Sequence, residues 1–139
     1  MTTHSDASSI PFTSPESVLR AWISAVNEGS VEQVVALYAE DAVLLSTFSA
    51  PILFGTKTIR EYFERLAARP GLSVTLHDKT LHFRELPGGW AVASGIYCFR
   101  FEVDGELLSF EARFTFVIDA ATPHPIVHHQ SAQIPRALS

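Results

Sequence analysis

A chain of 139 residues, 47% apolar and 18% charged, has the make-up of one soluble globular domain with its own core, which excludes a wholly disordered protein. Its formal charge of −5, without any run of Lys or Arg, excludes nonspecific nucleic-acid binding, and no apolar stretch approaches the roughly 20 residues that span a membrane. Cys98 is the only cysteine, which excludes an intrachain disulfide and a cysteine-rich metal site; within an aromatic strand it reads as a buried, inert thiol.

Residues 1–13 are polar and serine-rich and are expected to form a mobile tail ahead of a domain over 14–136. They carry neither the basic opening nor the apolar run of a secretory signal, so a cytoplasmic protein is expected. Ser14-Pro15-Glu16 starts a helix: a capping serine, proline at the first helical position and an acid in the first turn. Val18, Leu19, Trp22, Ile23 and Val26 follow at helical spacing until Asn27-Glu28-Gly29. Ser30-Val31-Glu32-Gln33 opens a second helix, with Val34, Val35, Leu37 and Tyr38 on its apolar side and Asp41 at its close. Two short extended runs, Ala42–Thr47 and Ile52–Phe54, precede a third helix, which carries Ile59, Tyr62, Phe63 and Leu66 and ends at Pro70-Gly71.

Beyond Leu72 the helical period disappears. Four strand-like segments, about 72–86, 89–103, 106–119 and 125–134, are separated by turn sequences such as Pro87-Gly88-Gly89 and Asp104-Gly105. In Ser109–Asp119 the alternation puts Phe110, Ala112, Phe114, Phe116 and Ile118 on one face and Glu111, Arg113, Thr115 and Val117 on the other. Phe99 and Phe101 share a face of the preceding strand. So much aromatic surface predicts that one set is core and that another is covered by a second subunit, giving a homo-oligomer. Three helices followed by an antiparallel meander make an α+β layout in which long strands curve around helices.

Several local sequences then resemble a known family: Ala21-Trp22, Leu37-Tyr38-Ala39-Glu40-Asp41-Ala42-Val43, Gly55 ahead of Ile59 and Tyr62-Phe63, Ala112-Arg113-Phe114-Thr115, and Ile126-Val127-His128-His129-Gln130-Ser131 with Pro135. Their order resembles the nuclear transport factor 2-like superfamily, most closely the bacterial branch similar to the association domain of calcium/calmodulin-dependent protein kinase II, with SnoaL-like polyketide cyclases as relatives. The resemblance implies a cystatin-like cone: three N-terminal helices wrapped by a curved mixed, mainly antiparallel sheet, with a pocket at the wide end. It implies a stand-alone protein that forms a homodimer or a larger ring through its sheet face and binds a small organic ligand, carboxylate-bearing in one reading. It implies no cofactor. Kinase activity is not implied, because the glycine-rich loop, catalytic loop and metal-binding acidic motif are absent from the sequence.

Carried onto this chain, the resemblance implies a pocket lined by Tyr38, Tyr97, Arg113, His129 and Gln130. Arg113 matches one of three pocket arginines, and Gln130 stands where relatives carry Arg or His. Arg100 lies near the position of another, but one residue too far from Tyr97 to share its face unless the strand bulges. Two readings of Arg113 stand open: an ion pair with Glu111, Asp41 or Glu102, or a guanidinium presented to a carboxylate ligand. The alternative function is a small enzyme of the cyclase, isomerase or dehydratase kind, with Asp41 or His129 as acid/base and Arg113 as oxyanion stabiliser. No metal site is expected. His128 and His129 are strand neighbours and point to opposite faces, and His77 and His82, an odd number apart on one long strand, do the same.

Overall fold

The structure is a computed structural model that describes residues 12–135, so most of the expected tail and the domain limit at 136 lie outside the described residues. Helix α1 (Pro15–Asn27) begins as its sequence dictates: Ser14 and Ser17 exchange side-chain and backbone hydrogen bonds in a capping box with Pro15 just inside. Its apolar stripe buries Val18, Leu19, Trp22, Ala25 and Val26. Helix α2 (Val31–Ala36) is capped by Ser30 through the Gln33 amide. Helix α3 (Gly55–Ala67) buries Ile59, Tyr62, Phe63 and Leu66, as the spacing predicts.

Strand β1 (Tyr38–Leu45) starts earlier than expected. Leu37 and Tyr38 fit a helical stripe, but Leu37 O accepts the Ile126 amide at 2.8 Å and Tyr38 pairs with Ile126 in a parallel ladder. Asp41 is therefore a strand residue, not the close of a helix. β2 (Leu53–Phe54) is a short partner of β1. The expected strand over 72–86 is two strands, β3 (Ser73–Leu76) and β4 (His82–Leu86), separated by a 3₁₀ turn at Asp78–Thr80. His77 and His82 consequently do not share a strand, and the parity argument applied to them falls away.

β5 (Trp90–Val103) and β6 (Glu106–Asp119) form a long hairpin in unbroken register. Its two-residue turn uses Asp104 at φ 53° and Gly105 at φ 80°, the left-handed pair that matches strand twist. β7 (Ile126–Gln133) completes a sheet ordered β2-β1-β7-β6-β5-β3, with β4 also on β5. Only the β1–β7 pairing is parallel. One irregularity matters for the interior: Val117 pairs with His128 but Ile118 with Ile126, so Val127 is an extra residue in β7. That bulge turns His129 and Ser131 inward behind Ile126.

The concave face packs on α1 and α3 and carries Ala93, Tyr97, Phe99, Phe101, Phe114, Phe116 and Ile118 in one core. Both phenylalanine sets lie on this face, Phe99 opposite Phe110 and Phe114 opposite Gly95. The expectation that one set would face a second subunit is therefore corrected, since β5 and β6 bring them to the same side. The edge strand β3 is held from α1: Asn27 donates to Val74 O at 2.9 Å and accepts from Val74 N at 2.7 Å. Asn27→Ala strands both groups at a sheet edge and is expected to cost about 1–2 kcal/mol in urea unfolding. Faster exchange of the Val74 amide should accompany the loss.

Candidate functional site

Inside the cone the aromatic core closes on a polar chain. His129 is 2% exposed and is stacked on Phe116, with ring centroids 3.8 Å apart, while Trp22 meets it edge-on. Its Nδ1 lies 2.7 Å from Tyr38 Oη and its Nε2 lies 3.1 Å from Tyr97 Oη. Trp22 Nε1 donates to Tyr38 Oη at 3.0 Å. Since indole nitrogen can only donate, one proton order satisfies every atom. Trp22 donates to Tyr38, Tyr38 donates to Nδ1, and Nε2–H donates to Tyr97, beside the hydrogen-bonded Thr47–Ser131 hydroxyl pair on the same wall. His129 is thereby fixed as the neutral Nε2–H tautomer.

The electrostatics agree with this assignment. Burial, with a smaller push from His128, lowers the His129 pKa to about 3. Burial also raises Tyr38 and Tyr97 well above the ordinary phenol range, and pushes Tyr62 up to about 12. The chamber beside this chain, lined by Ser46, Thr47, Tyr62, Tyr97, His129 and Ser131 among others, measures about 10 Å³, space for about one water. Ser46 Oγ, buried on its wall, has no protein hydrogen-bond partner.

The predicted site residues separate into two groups. Tyr38, Tyr97 and His129 meet in this chamber. Arg113 and Gln130 do not: they lie on the convex face of the sheet, in a groove of about 480 Å³ shared with Ser94, Ile96 and Thr115. The single expected pocket is thus corrected. Arg113 pairs across the hairpin with Ile96, and its neighbour Ala112 pairs with Tyr97, so a guanidinium at 113 points away from the chamber. The expected ion pair of Arg113 with Glu111, Asp41 or Glu102 is not formed within the chain. Glu111 faces His77 at 3.6 Å, and no carboxylate lies within ion-pair distance of Arg113 among the described residues. Arg100 is exposed, because the hairpin runs without a bulge and leaves it opposite in face to Tyr97. Asp41 is exposed on β1 and is absent from the chamber wall. Among the described residues no three His, Cys, Asp or Glu side chains gather as a metal site.

Sequence reasoning overlooked Trp22, Thr47, Ser46 and Ser131 as chamber residues. A usable signal existed for Ser131, which stands two residues from His129 and so shares its strand face. Trp22 read simply as helix core.

A model of the SnoaL-like domain matches residues 19–120, from α1 to the end of the β5–β6 hairpin. The chain belongs to the SnoaL-like family. Among solved structures, this SnoaL-like chain is similar to a proposed calcium/calmodulin-dependent protein kinase II association domain from Xanthomonas campestris. That match has TM-score 0.78 and 27% identity, and covers 88% of this chain and 86% of the other. A ketosteroid isomerase-like protein from Erwinia carotovora atroseptica gives TM-score 0.73 at 16% identity, covering 87% and 94%. A proposed dehydratase of the nuclear transport factor 2-like family from Streptomyces avermitilis gives 0.73 at 16%, covering 97% and 100%. The cone is therefore the fold of this SnoaL-like protein, as its sequence resemblance implies. No helix among the described residues is long and apolar enough to cross a membrane.

Proposed function

We propose that this chain is an association-domain-like protein that pairs with a second copy through the convex face of its sheet. It takes a small organic ligand at the wide end of its cone, without kinase or other chemistry of its own. The observation that carries the pairing is the convex face. Val43, Leu45, Val92, Ile96 and Val117 are half-buried there around Ser94, Thr115 and Gln130, and all of the described helices pack on the other side. Glu111 and Arg113 stand on that face two residues apart. Two-fold related copies of β6 can thus set each Arg113 against the partner's carboxylate, an isologous arrangement that also supplies the counter-ion missing in the monomer. The likeness to a protein described as an association domain supports the same reading.

The non-catalytic part rests on the chamber. Both His129 nitrogens are engaged, its proton affinity is far below neutrality, no carboxylate lines the wall, and the space of about 10 Å³ is too small for a substrate. A general base needs a free lone pair within reach of a substrate proton.

Sedimentation velocity at micromolar concentration should show a dimer or a higher species. Ile96→Arg, which sets a like charge beside Arg113, should yield a folded monomer of unchanged circular dichroism. A monomeric wild type would sink the pairing.

A further inference from the structure

At the wide end of the cone a second recess of about 190 Å³ is lined by Phe48, Tyr62, Arg65, Leu66, Arg69 and Phe101, with Ser49 at its rim. It shares Tyr62 and Leu66 with the chamber behind it. On its wall stands Phe48, from the loop after β1, packed edge-on against Phe99, Phe101 and Phe110 at 5.2–5.3 Å. The recess has an apolar floor and a cationic lip. Arg65 stands in the last turn of α3 and Arg69 just beyond its C-cap at Ala68, and both line the recess. Arg69 lies over the Phe101 ring, 5.3 Å from its centroid, and the charge of Arg65 is felt at the Tyr62 hydroxyl.

Neither arginine has a carboxylate within ion-pair distance among the described residues, although the chain as a whole carries a net charge of −5. The neighbouring Arg60 on the same helix, by contrast, is paired with Glu32. Two free guanidiniums beside an aromatic floor fit one chemistry: a flat apolar body that ends in a carboxylate. The volume fits a six-membered ring, since a cavity of about 150 Å³ takes up benzene. Forked guanidinium donors suit a carboxylate better than a neutral amide, because charge-assisted hydrogen bonds are roughly twice as strong.

We propose that this recess is the ligand site and that it selects aryl carboxylates of benzoate size, with the ring on Phe48 and Phe101 and the carboxylate between Arg65 and Arg69. The proposal rests on the ligand-binding reading above, but moves the anion contact from Arg113 to Arg65 and Arg69 at the C-terminal end of α3. Tyr62 lines both the recess and the chamber, so a ring substituent directed along it would point towards Ser46.

Titrating isotope-labelled protein with sodium benzoate should shift the amides of Phe48, Arg65, Arg69 and Phe101. Benzamide should bind at least tenfold more weakly, and Arg65→Gln/Arg69→Gln should weaken benzoate at least tenfold. Both arginines are exposed, so the double variant should fold as the wild type does. Equal binding of benzoate and benzamide would overturn the carboxylate selection while leaving a ligand pocket in place. Unaltered benzoate affinity in the double variant would overturn the roles of the arginines. Absence of shifts with either compound would overturn both this site and the ligand-binding reading. Displacement of benzoate by inorganic phosphate at equal concentration would reduce the lip to a generic anion patch and overturn the proposal.

Discussion

His129→Ala is expected to lower the unfolding free energy by about 3–5 kcal/mol, a large share of the roughly 5–15 kcal/mol that holds a domain together. Two losses add up. The imidazole packs between Phe116 and Trp22 in full burial, so its removal leaves a cavity that a sheet and two helices cannot close. The hydroxyls of Tyr38 and Tyr97 lose their shared partner, and a buried orphaned donor costs about 1–3 kcal/mol. His129→Gln, which can still accept from one hydroxyl and donate to the other, should recover about half of the loss. Urea unfolding of the two variants against wild type decides the matter. Equal midpoints for all three would mean that the ring is not a structural centre.

Acid should unfold the protein through the same residue. In the folded state His129 protonates only near pH 3, whereas in the unfolded chain it does so near 6.5. Between these values the unfolded state binds more protons. Stability is therefore complete above about pH 6.5 and falls as the pH drops towards 3. The slope approaches about 1.4 kcal/mol per pH unit, so the His129 contribution between pH 6.5 and 4.5 is about 2 kcal/mol. Carboxylates titrate in the lower part of this window, and His129→Gln separates them, since it retains every carboxylate and lacks the imidazole. The difference between wild type and His129→Gln should shrink by about 2 kcal/mol from pH 6.5 to 4.5. A difference that stays constant with pH would show that His129 is solvated or already charged when folded.

The readable parts of this chain were those governed by neighbours in sequence. Ser14-Pro15, the Ile59–Leu66 stripe and Asp104-Gly105 each act within one turn or hairpin, and α1, α3 and the β5–β6 hairpin form where those residues predict. Leu37-Tyr38 misled because both periods fit them, and the choice is made by Ile126, some ninety positions away. Strand parity correctly sorted Phe114 from Arg113. It could not say that Ala112, not Arg113, would lie opposite Tyr97, because register between strands is not written in either strand alone. Arg113 was thus grouped with Tyr97 and His129 by family likeness, across the thickness of the sheet. The arginines at the mouth went unnoticed because at a helix end they read as ordinary solvated charges, and only the recess beside them gives them meaning.

The extra residue at Val127 sets the phase of everything after it. Were the bulge straightened, with Val127 in place of His128 opposite Val117, strict alternation from Ile126 would turn His128 into the core in place of His129 and carry Gln130 inward where Ser131 now sits. The two histidines look interchangeable as a pair, but they are a matched combination of one frame. Removing Val127 altogether keeps the frame, since Ile126 and His129 then stand two positions apart, whereas losing one residue between His129 and Gln133 would turn the rest of the strand over.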